Sequence, residues 1–116
     1  MARLLLIDDD HDTMRILEAK LTDAGYQILQ ARDGKEGLER ARLIRPDIIL
    51  LDVMMPELDG LSVLKHLKFD PLTESIPVVI MTAKGEKLEG VFKMEGAAGY
   101  LTKPFVFADL LEQVKK

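Results

Sequence analysis

The chain has 116 residues, of which 47% are hydrophobic and 31% are charged, and its formal net charge is −4. This length predicts one domain, residues 1–116, with its own core. The absence of cysteine excludes a disulfide framework and thiol chemistry. With no block of like charges, nothing favours nucleic acid or an anionic membrane as a partner. The first apolar run, residues 4–7, is too short for a signal peptide or membrane span, so we expect a soluble, cytoplasmic protein.

The first unit of the chain is predicted to be a strand followed by a helix. Residues 4–7 are a short apolar run that ends on two acids, as expected for a buried strand. The helix after it has apolar residues at helical spacing, namely Met14, Leu17, Leu21 and Ala24. Gly25 is expected to end this helix.

The second unit repeats that pattern. Residues 26–31 predict a strand, and Asp33 with Glu36 three residues later predicts a capping box at the start of a helix. Pro46 ends the helix, because the residue before a proline disfavours helical dihedral angles. The residues expected to point inward are Leu38, Ala41 and Ile44.

The third unit begins with an apolar strand over 47–52 that finishes on Asp52. A turn over 55–58 leads to a helix for which Asp59 is the expected N-cap. The apolar face of this helix consists of Leu61, Leu64 and Leu67. Asp70 and Pro71 are expected to close it.

The last two units are shorter. Strands are predicted over 78–82 and 99–102, and a helix over 86–95 lies between them. Gly90 weakens that helix by about 1 kcal/mol relative to alanine. The final helix is expected to turn its apolar residues inward, namely Phe107, Leu110, Leu111 and Val114.

Alternating strands and helices predict an α/β fold with a doubly wound, five-stranded parallel sheet and five helices on its two faces. The strand order 2-1-3-4-5, as in flavodoxin-like proteins, would place strands one, three, four and five side by side. These four strands are the ones that end on residues suited to phosphate chemistry, and ligand sites form at the carboxyl ends of such strands.

Three carboxylates are expected at that edge, from Asp8, Asp9 and Asp52. Their mutual repulsion would be relieved by Mg²⁺, a hard cation that takes carboxylate and phosphate oxygens. The backbone carbonyl of Met54 is a further candidate ligand. The alternative for residues 8–12 is a helix cap and a solvated loop, a role that we assign to Asp10 and Asp12.

A hydroxyl and an amine complete the predicted site. Thr82 follows the fourth strand and could donate to a phosphoryl oxygen, although threonine is also an ordinary strand residue. Lys103 precedes Pro104 at the end of the fifth strand, where it could pair with carboxylate and phosphate rather than lie on the surface. Neither His11 nor His66 has a metal-ligand partner at useful spacing.

Four segments of the chain resemble the receiver domain of two-component response regulators. They are Leu5-Leu6-Ile7-Asp8-Asp9-Asp10, Leu51-Asp52-Val53-Met54-Met55-Pro56-Glu57-Leu58-Asp59-Gly60, Met81-Thr82-Ala83 and Tyr100-Leu101-Thr102-Lys103-Pro104-Phe105. The resemblance covers essentially the whole chain. It implies a CheY-like phosphoacceptor domain that assists its own phosphorylation and dephosphorylation but is not classed as an enzyme.

The resemblance also implies roles for individual residues. Asp52 would accept a phosphoryl group from a sensor histidine kinase or a phosphotransfer protein. Asp9 would bind Mg²⁺ directly, Asp8 largely through water, and the Met54 carbonyl would complete the protein ligands. The residues implied at the phosphoryl group and in the switch are Thr82, Ala83, Tyr100, Lys103 and Pro104. The switch would alter the surface of the fourth helix, fifth strand and fifth helix, which a downstream effector reads.

Three other classes of protein fit the motifs of this chain less well. A haloacid dehalogenase-type enzyme normally has a second aspartate two residues after the nucleophile, where this chain has Met54. A nucleotide-binding module would have glycines in the first strand–helix turn, where this chain has acids. A non-phosphorylated, receiver-like scaffold is the closest rival, but it usually lacks an acid or the lysine. The chain could be a stand-alone regulator or the receiver of a larger protein.

Overall fold

The computed structural model describes residues 2–52, 60–83, 96–103 and 107–115, with backbone alone for residues 82, 83, 102, 103 and 115. Its strands are β1 (Arg3–Ile7), β2 (Gln27–Ala31), β3 (Ile48–Asp52), β4 (Val78–Ala83) and β5 (Gly99–Lys103). The helices in these ranges are α1 (His11–Asp23), α2 (Gly34–Ile44), α3 (Gly60–Phe69) and the C-terminal helix (Phe107–Lys115).

The five strands form one parallel sheet in the order β2-β1-β3-β4-β5. This confirms the predicted fold class and strand order. β1 and β3 are neighbours in the interior of the sheet, where Ile7 is paired with Leu51, and β1, β2 and β3 each cross to the next strand in sequence through a helix. All strands therefore end at one edge of the sheet, and the residues that follow them are brought together there.

Each face of the sheet is covered by its own hydrophobic core. Successive residues of β1 alternate between the two, because side chains along a strand point to opposite faces. Leu5 and Ile7 join α2 and α3 in one core, whereas Leu4 and Leu6 join α1 and the C-terminal helix in the other. Residues 4–7 have no solvent exposure, which explains why their sequence is apolar throughout.

Two predicted helix starts are confirmed. The Asp10 side chain caps α1 by accepting hydrogen bonds from the Asp12 and Thr13 backbone N–H groups, at 3.0 and 3.4 Å. The Asp33 side chain caps α2 by accepting from the Glu36 N–H at 2.8 Å. Each cap satisfies N–H groups that have no partner inside the helix.

Several helix details differ from the sequence prediction. Ala24 is exposed because it is the C-cap of α1, and Gly25 follows it at φ +100°. In α3, Val63 is fully buried and Leu61 only partly so. Leu38 and Ile44 of α2 are half-buried, and Gly37 occupies the buried position next to the sheet. The predicted helix over 86–95, the turn over 55–58 and the expected N-cap Asp59 lie outside the described residues.

The end of α2 is fixed without a glycine. Arg45 adopts the left-handed conformation at φ 50°, and its N–H donates to the Ala41 carbonyl. The Arg3 guanidinium donates to the Ile44 carbonyl at 3.0 Å. These bonds satisfy orphan carbonyls of the last turn and hold it beside the start of β1.

Candidate functional site

The candidate site lies where β1 and β3 end. Ile7 is paired with Leu51, so Asp8 and Asp52 occupy the next position along two adjacent strands. Asp52 is in turn paired with Met81 of β4, which places Thr82 one position further along that strand. The sheet thus delivers acids from its two central strands to one point.

The three predicted carboxylates meet at this point. One oxygen from each of Asp8, Asp9 and Asp52 lies within 4.8 Å of the others. Asp8 is fully buried, Asp52 is 4% exposed, and Asp9 is open to solvent. The site therefore has two buried acids below and one exposed acid at its mouth.

Asp10 caps α1 and lies next to the acidic cluster without belonging to it. Its carboxylate caps α1, while its own backbone N–H donates to Asp8 Oδ1 at 3.0 Å. The Asp8 N–H donates to the Ala31 carbonyl at 3.1 Å, which ties this turn to β2. Asp10 does the capping, so Asp8 and Asp9 do not serve merely as caps. The bond to Asp8 was not anticipated from the sequence, because it depends on the conformation of the turn.

The donor set of this cluster suits a hard divalent cation. All three ligand groups are carboxylates, and neither imidazole nor thiolate contributes. Two unit charges 4 Å apart interact by about 4 kcal/mol at an effective dielectric constant of 20. A divalent cation reverses the sign of that interaction, so the described residues fit Mg²⁺ by charge and donor chemistry.

The remaining predicted residues are placed by strand register. Ala83 and Lys103 are paired across β4 and β5, beyond the level of Asp52, and Tyr100 is paired with Ile80. Tyr100 is half-buried, packs against the core that contains α2 and α3, and has a buried hydroxyl group. Met54 and Pro104 lie outside the described residues, and the side chains of residues 82, 83 and 103 are likewise not described.

Both histidines are exposed to solvent. His11 is exposed at the start of α1, and His66 is exposed on α3, with Nδ1 2.7 Å from the Ser62 carbonyl. Neither belongs to a group that could hold a metal in the described part of the chain. Within the same residues, no helix has both the length and the apolar content needed to cross a membrane.

Comparison with known proteins identifies the family of this chain. The family model for the response regulator receiver domain matches residues 4–115. The chain belongs to the receiver domain family. It is therefore a signalling domain of the two-component type, and the resemblance inferred from its motifs is confirmed.

The similar proteins differ in how much of their own length this chain covers. The chain is 45% identical to the response regulator PleD of Caulobacter vibrioides, over 98% of this chain but only 25% of PleD. It is 40% identical to protein PilH of Pseudomonas aeruginosa, over 98% of this chain and 95% of PilH. The crystallised chemotaxis protein CheY4 of Vibrio cholerae superposes with a TM-score of 0.91 at 32% identity, covering 99% of this chain and 97% of that one.

Proposed function

We propose that this receiver domain is a phosphoacceptor in which Asp52 takes a phosphoryl group in a Mg²⁺-dependent reaction. The supporting observation is the meeting of three carboxylates at the end of the two central strands. The donor would be a phosphohistidine on a sensor histidine kinase or on a phosphotransfer protein. Membership of the receiver family and the similarity to named response regulators support this choice of partner.

Asp52 is the best placed nucleophile of the three acids. It ends β3, in the middle of the sheet, and is held within the strand ladder by its pairing with Met81. Asp8 and Asp9 instead lie in the turn between β1 and α1, where Asp8 accepts from the Asp10 N–H and Asp9 faces solvent. An Asp52 oxygen attacks phosphorus, the bond from phosphorus to the donor nitrogen breaks, and the histidine departs, leaving an acyl phosphate on Asp52.

The other acids and the strand ends complete the proposed site. Asp8, Asp9, Asp52 and the Met54 carbonyl would hold Mg²⁺, which offsets charge on the carboxylates and the phosphoryl group. Lys103 would pair first with Asp52 and then with the phosphoryl oxygens. Thr82 and Ala83 would bond the phosphoryl group from the end of β4.

The response would be a change at the surface of β5 and the helices beside it. Thr82 would move towards the phosphoryl group, and Tyr100 would fill the space that it leaves. This local change of charge would shift the balance between two conformations of the surface that a downstream effector protein or domain recognises, and Lys103–Pro104 at the end of β5 would belong to that surface.

We propose a single, cytoplasmic domain over residues 1–116, with no direct contact to nucleic acid or membrane.

The reaction is tested with acetyl phosphate, because this small donor needs no identified kinase. Incubation with acetyl phosphate and Mg²⁺ should add one phosphoryl group to the protein, measured by intact mass, as acetate leaves. Asp52→Asn and chelation of the metal should each abolish the addition. Asp23→Asn, an exposed position at the far end of α1, is the matched control and should be phosphorylated normally.

Two results would contradict the proposal. Phosphorylation of Asp52→Asn would show that another residue is the acceptor. Failure of the folded wild type to react with acetyl phosphate or phosphoramidate would favour the scaffold alternative.

Amide chemical shifts of the phosphorylated sample report the switch. They should change around Tyr100, beyond the groups that touch the phosphoryl site.

A further inference from the structure

Three exposed apolar side chains meet on one face of the molecule. In the described ranges, the large hydrophobic residues that are exposed are Ile16, Leu43, Phe69 and Leu72. Leu43 at the end of α2, Phe69 at the end of α3 and Leu72 just after it line a single groove, whereas Ile16 lies on α1. Leu43 and Phe69 are each 84% exposed. Clustered apolar side chains of this kind mark interaction sites, whereas a single one does not.

The groove is a defined surface between two packed helices. It has a volume of about 1150 Å³ and runs between α2 and α3. Both helices pack on the same core through Ala41, Val63 and Leu67. An ion pair from Arg42 Nε to Asp70 Oδ2, 2.7 Å long, links the ends of the two helices across the groove. A partner would meet a surface that is already formed, which lowers the entropy cost of binding.

The apolar end of the groove lies away from the aspartate cluster. Arg3, at the start of β1, bonds the last carbonyls of α2, and Lys68 of α3 donates to the Ile76 carbonyl just before β4. The ends of both helices therefore lie at the edge where the strands begin. Asp8 and Asp52 lie at the opposite edge, where the strands end. A partner in the groove would leave the phosphoryl site accessible.

The charges that line the groove indicate what kind of partner fits. Among its described lining residues, Arg42 and Asp70 pair with each other, which leaves Lys35 and Lys65 facing one acid, Glu39. The lining of the groove therefore carries a net charge of +1 on a chain whose net charge is −4. A second copy would bring the same lysine-bearing walls together, which like-charge repulsion disfavours.

We propose that this groove is a docking site for an acidic amphipathic helix of a partner protein. Apolar residues one turn apart on that helix would cover Leu43, Phe69 and Leu72, and flanking acids would face Lys35 and Lys65. Each anchor residue would be desolvated on binding, and the lysines would fix the orientation of the helix. This contact is separate from phosphotransfer and from the proposed switch surface.

The proposal is tested by selection rather than by one chosen peptide. A display library of helical peptides of about four turns, with apolar residues fixed on one face and all other positions random, is selected on the wild-type protein. Peptides that also bind the Leu43→Asp/Phe69→Asp double variant are then removed from the selected pool. We expect the surviving sequences to carry net negative charge and to shift amides around Leu43, Phe69 and Leu72 in the protein.

Matched variants decide whether the groove is responsible. Affinity of the selected peptides, measured by fluorescence anisotropy, should fall by at least about tenfold in Leu43→Asp/Phe69→Asp and in Lys35→Glu/Lys65→Glu. Ile16→Asp removes the exposed apolar residue on α1 and should bind normally. All variants should keep their circular dichroism spectrum and their reaction with acetyl phosphate, because the substituted side chains are exposed and none belongs to the aspartate cluster.

Three outcomes would overturn the docking proposal. The first is that no sequence survives the depletion step, and the second is that the survivors are basic or neutral. The third is a wild-type dimer in sedimentation that Leu43→Asp dissolves, which would assign the groove to a second copy. None of these outcomes affects the acetyl phosphate test of Asp52, so the two proposals fail independently.

Discussion

At the scale of single residues, Gly37 shows how closely α2 approaches the sheet next to the acidic cluster. A Cβ atom at this position would lie 2.5 Å from Ile7 Cδ1 and 3.0 Å from Ile7 Cγ1. Ile7 is fully buried and immediately precedes Asp8. Because its β-branched side chain has few alternative rotamers, it cannot move aside cheaply.

We therefore expect Gly37→Ala to lower the free energy of unfolding by up to about 2 kcal/mol, measured by urea denaturation. Overpacking costs about 1–3 kcal/mol, and the better helix propensity of alanine returns about 1 kcal/mol. The control is the same substitution in an Ile7→Val background, which lacks Cδ1. An equal penalty in both backgrounds would show that the clash with Ile7 is not the cause.

At the scale of elements, the connection from α3 to β4 is held by side chains rather than left free. The Thr73 hydroxyl, in a fully buried residue, donates to the Leu67 carbonyl at 2.7 Å. Lys68 Nζ reaches over the turn to donate to the Glu74 and Ile76 carbonyls at 3.1 and 2.8 Å. These bonds position the start of β4, which carries Thr82 towards the site.

The pKa of Lys68 is lowered from its ordinary value of 10.5 by burial, with the nearby Glu74 carboxylate opposing part of that shift. Between the lowered pKa and 10.5, the unfolded chain binds more protons at this position than the folded one. Stability from this group therefore rises as the pH increases through that window, and below the window the cost of burying the charge is felt in full.

Lys68→Met should be less stable than wild type at neutral pH by about 1–3 kcal/mol, because two carbonyls lose their donor. The difference between the two proteins should widen as the pH approaches 10.5, since only wild type gains from releasing the proton. Urea unfolding across this range measures it. Lys65→Met, exposed on the same helix, should be as stable as wild type at neutral pH, and a gap between Lys68→Met and wild type that stays constant with pH would contradict the assignment.

At the scale of the whole molecule, the sheet was predictable because its interior strands β1, β3 and β4 each contain a continuous apolar run. Only a sheet covered on both faces accounts for residues 4–7 or 48–51, and that architecture brings Asp8 and Asp52 to one edge. The details missed were tertiary ones. The close approach at Gly37 and the burial of Thr73 depend on how packed elements meet, and helical periodicity does not encode that.

The groove between α2 and α3 was also not predicted from the sequence. Leu43 and Phe69 are apolar residues near helix ends, and sequence pattern alone offers no reason to leave them exposed. Their exposure follows from the relative placement of α2 and α3, which leaves a groove between them. A binding surface of this kind becomes visible only when the helices are placed on the sheet.

The acidic cluster should make the stability of the whole domain depend on Mg²⁺. Without metal, three carboxylates within 4.8 Å repel one another, so Asp9→Asn should unfold at a higher temperature than wild type. With Mg²⁺ the order should reverse, because metal that binds only the folded state stabilises wild type by about 2.7 kcal/mol at a hundred times its dissociation constant. Thermal unfolding at matched ionic strength measures both effects.

Asp9 is the informative choice among the three acids because it is exposed, so its replacement leaves the packing around Asp8 and Asp52 in place. Asp23→Asn removes one negative charge far from the cluster and controls for net charge; it should respond to Mg²⁺ as wild type does. Equal stabilisation of Asp9→Asn and wild type by Mg²⁺ would mean that the ion acts by general screening. The carboxylates at the ends of β1 and β3 would then not form a metal site.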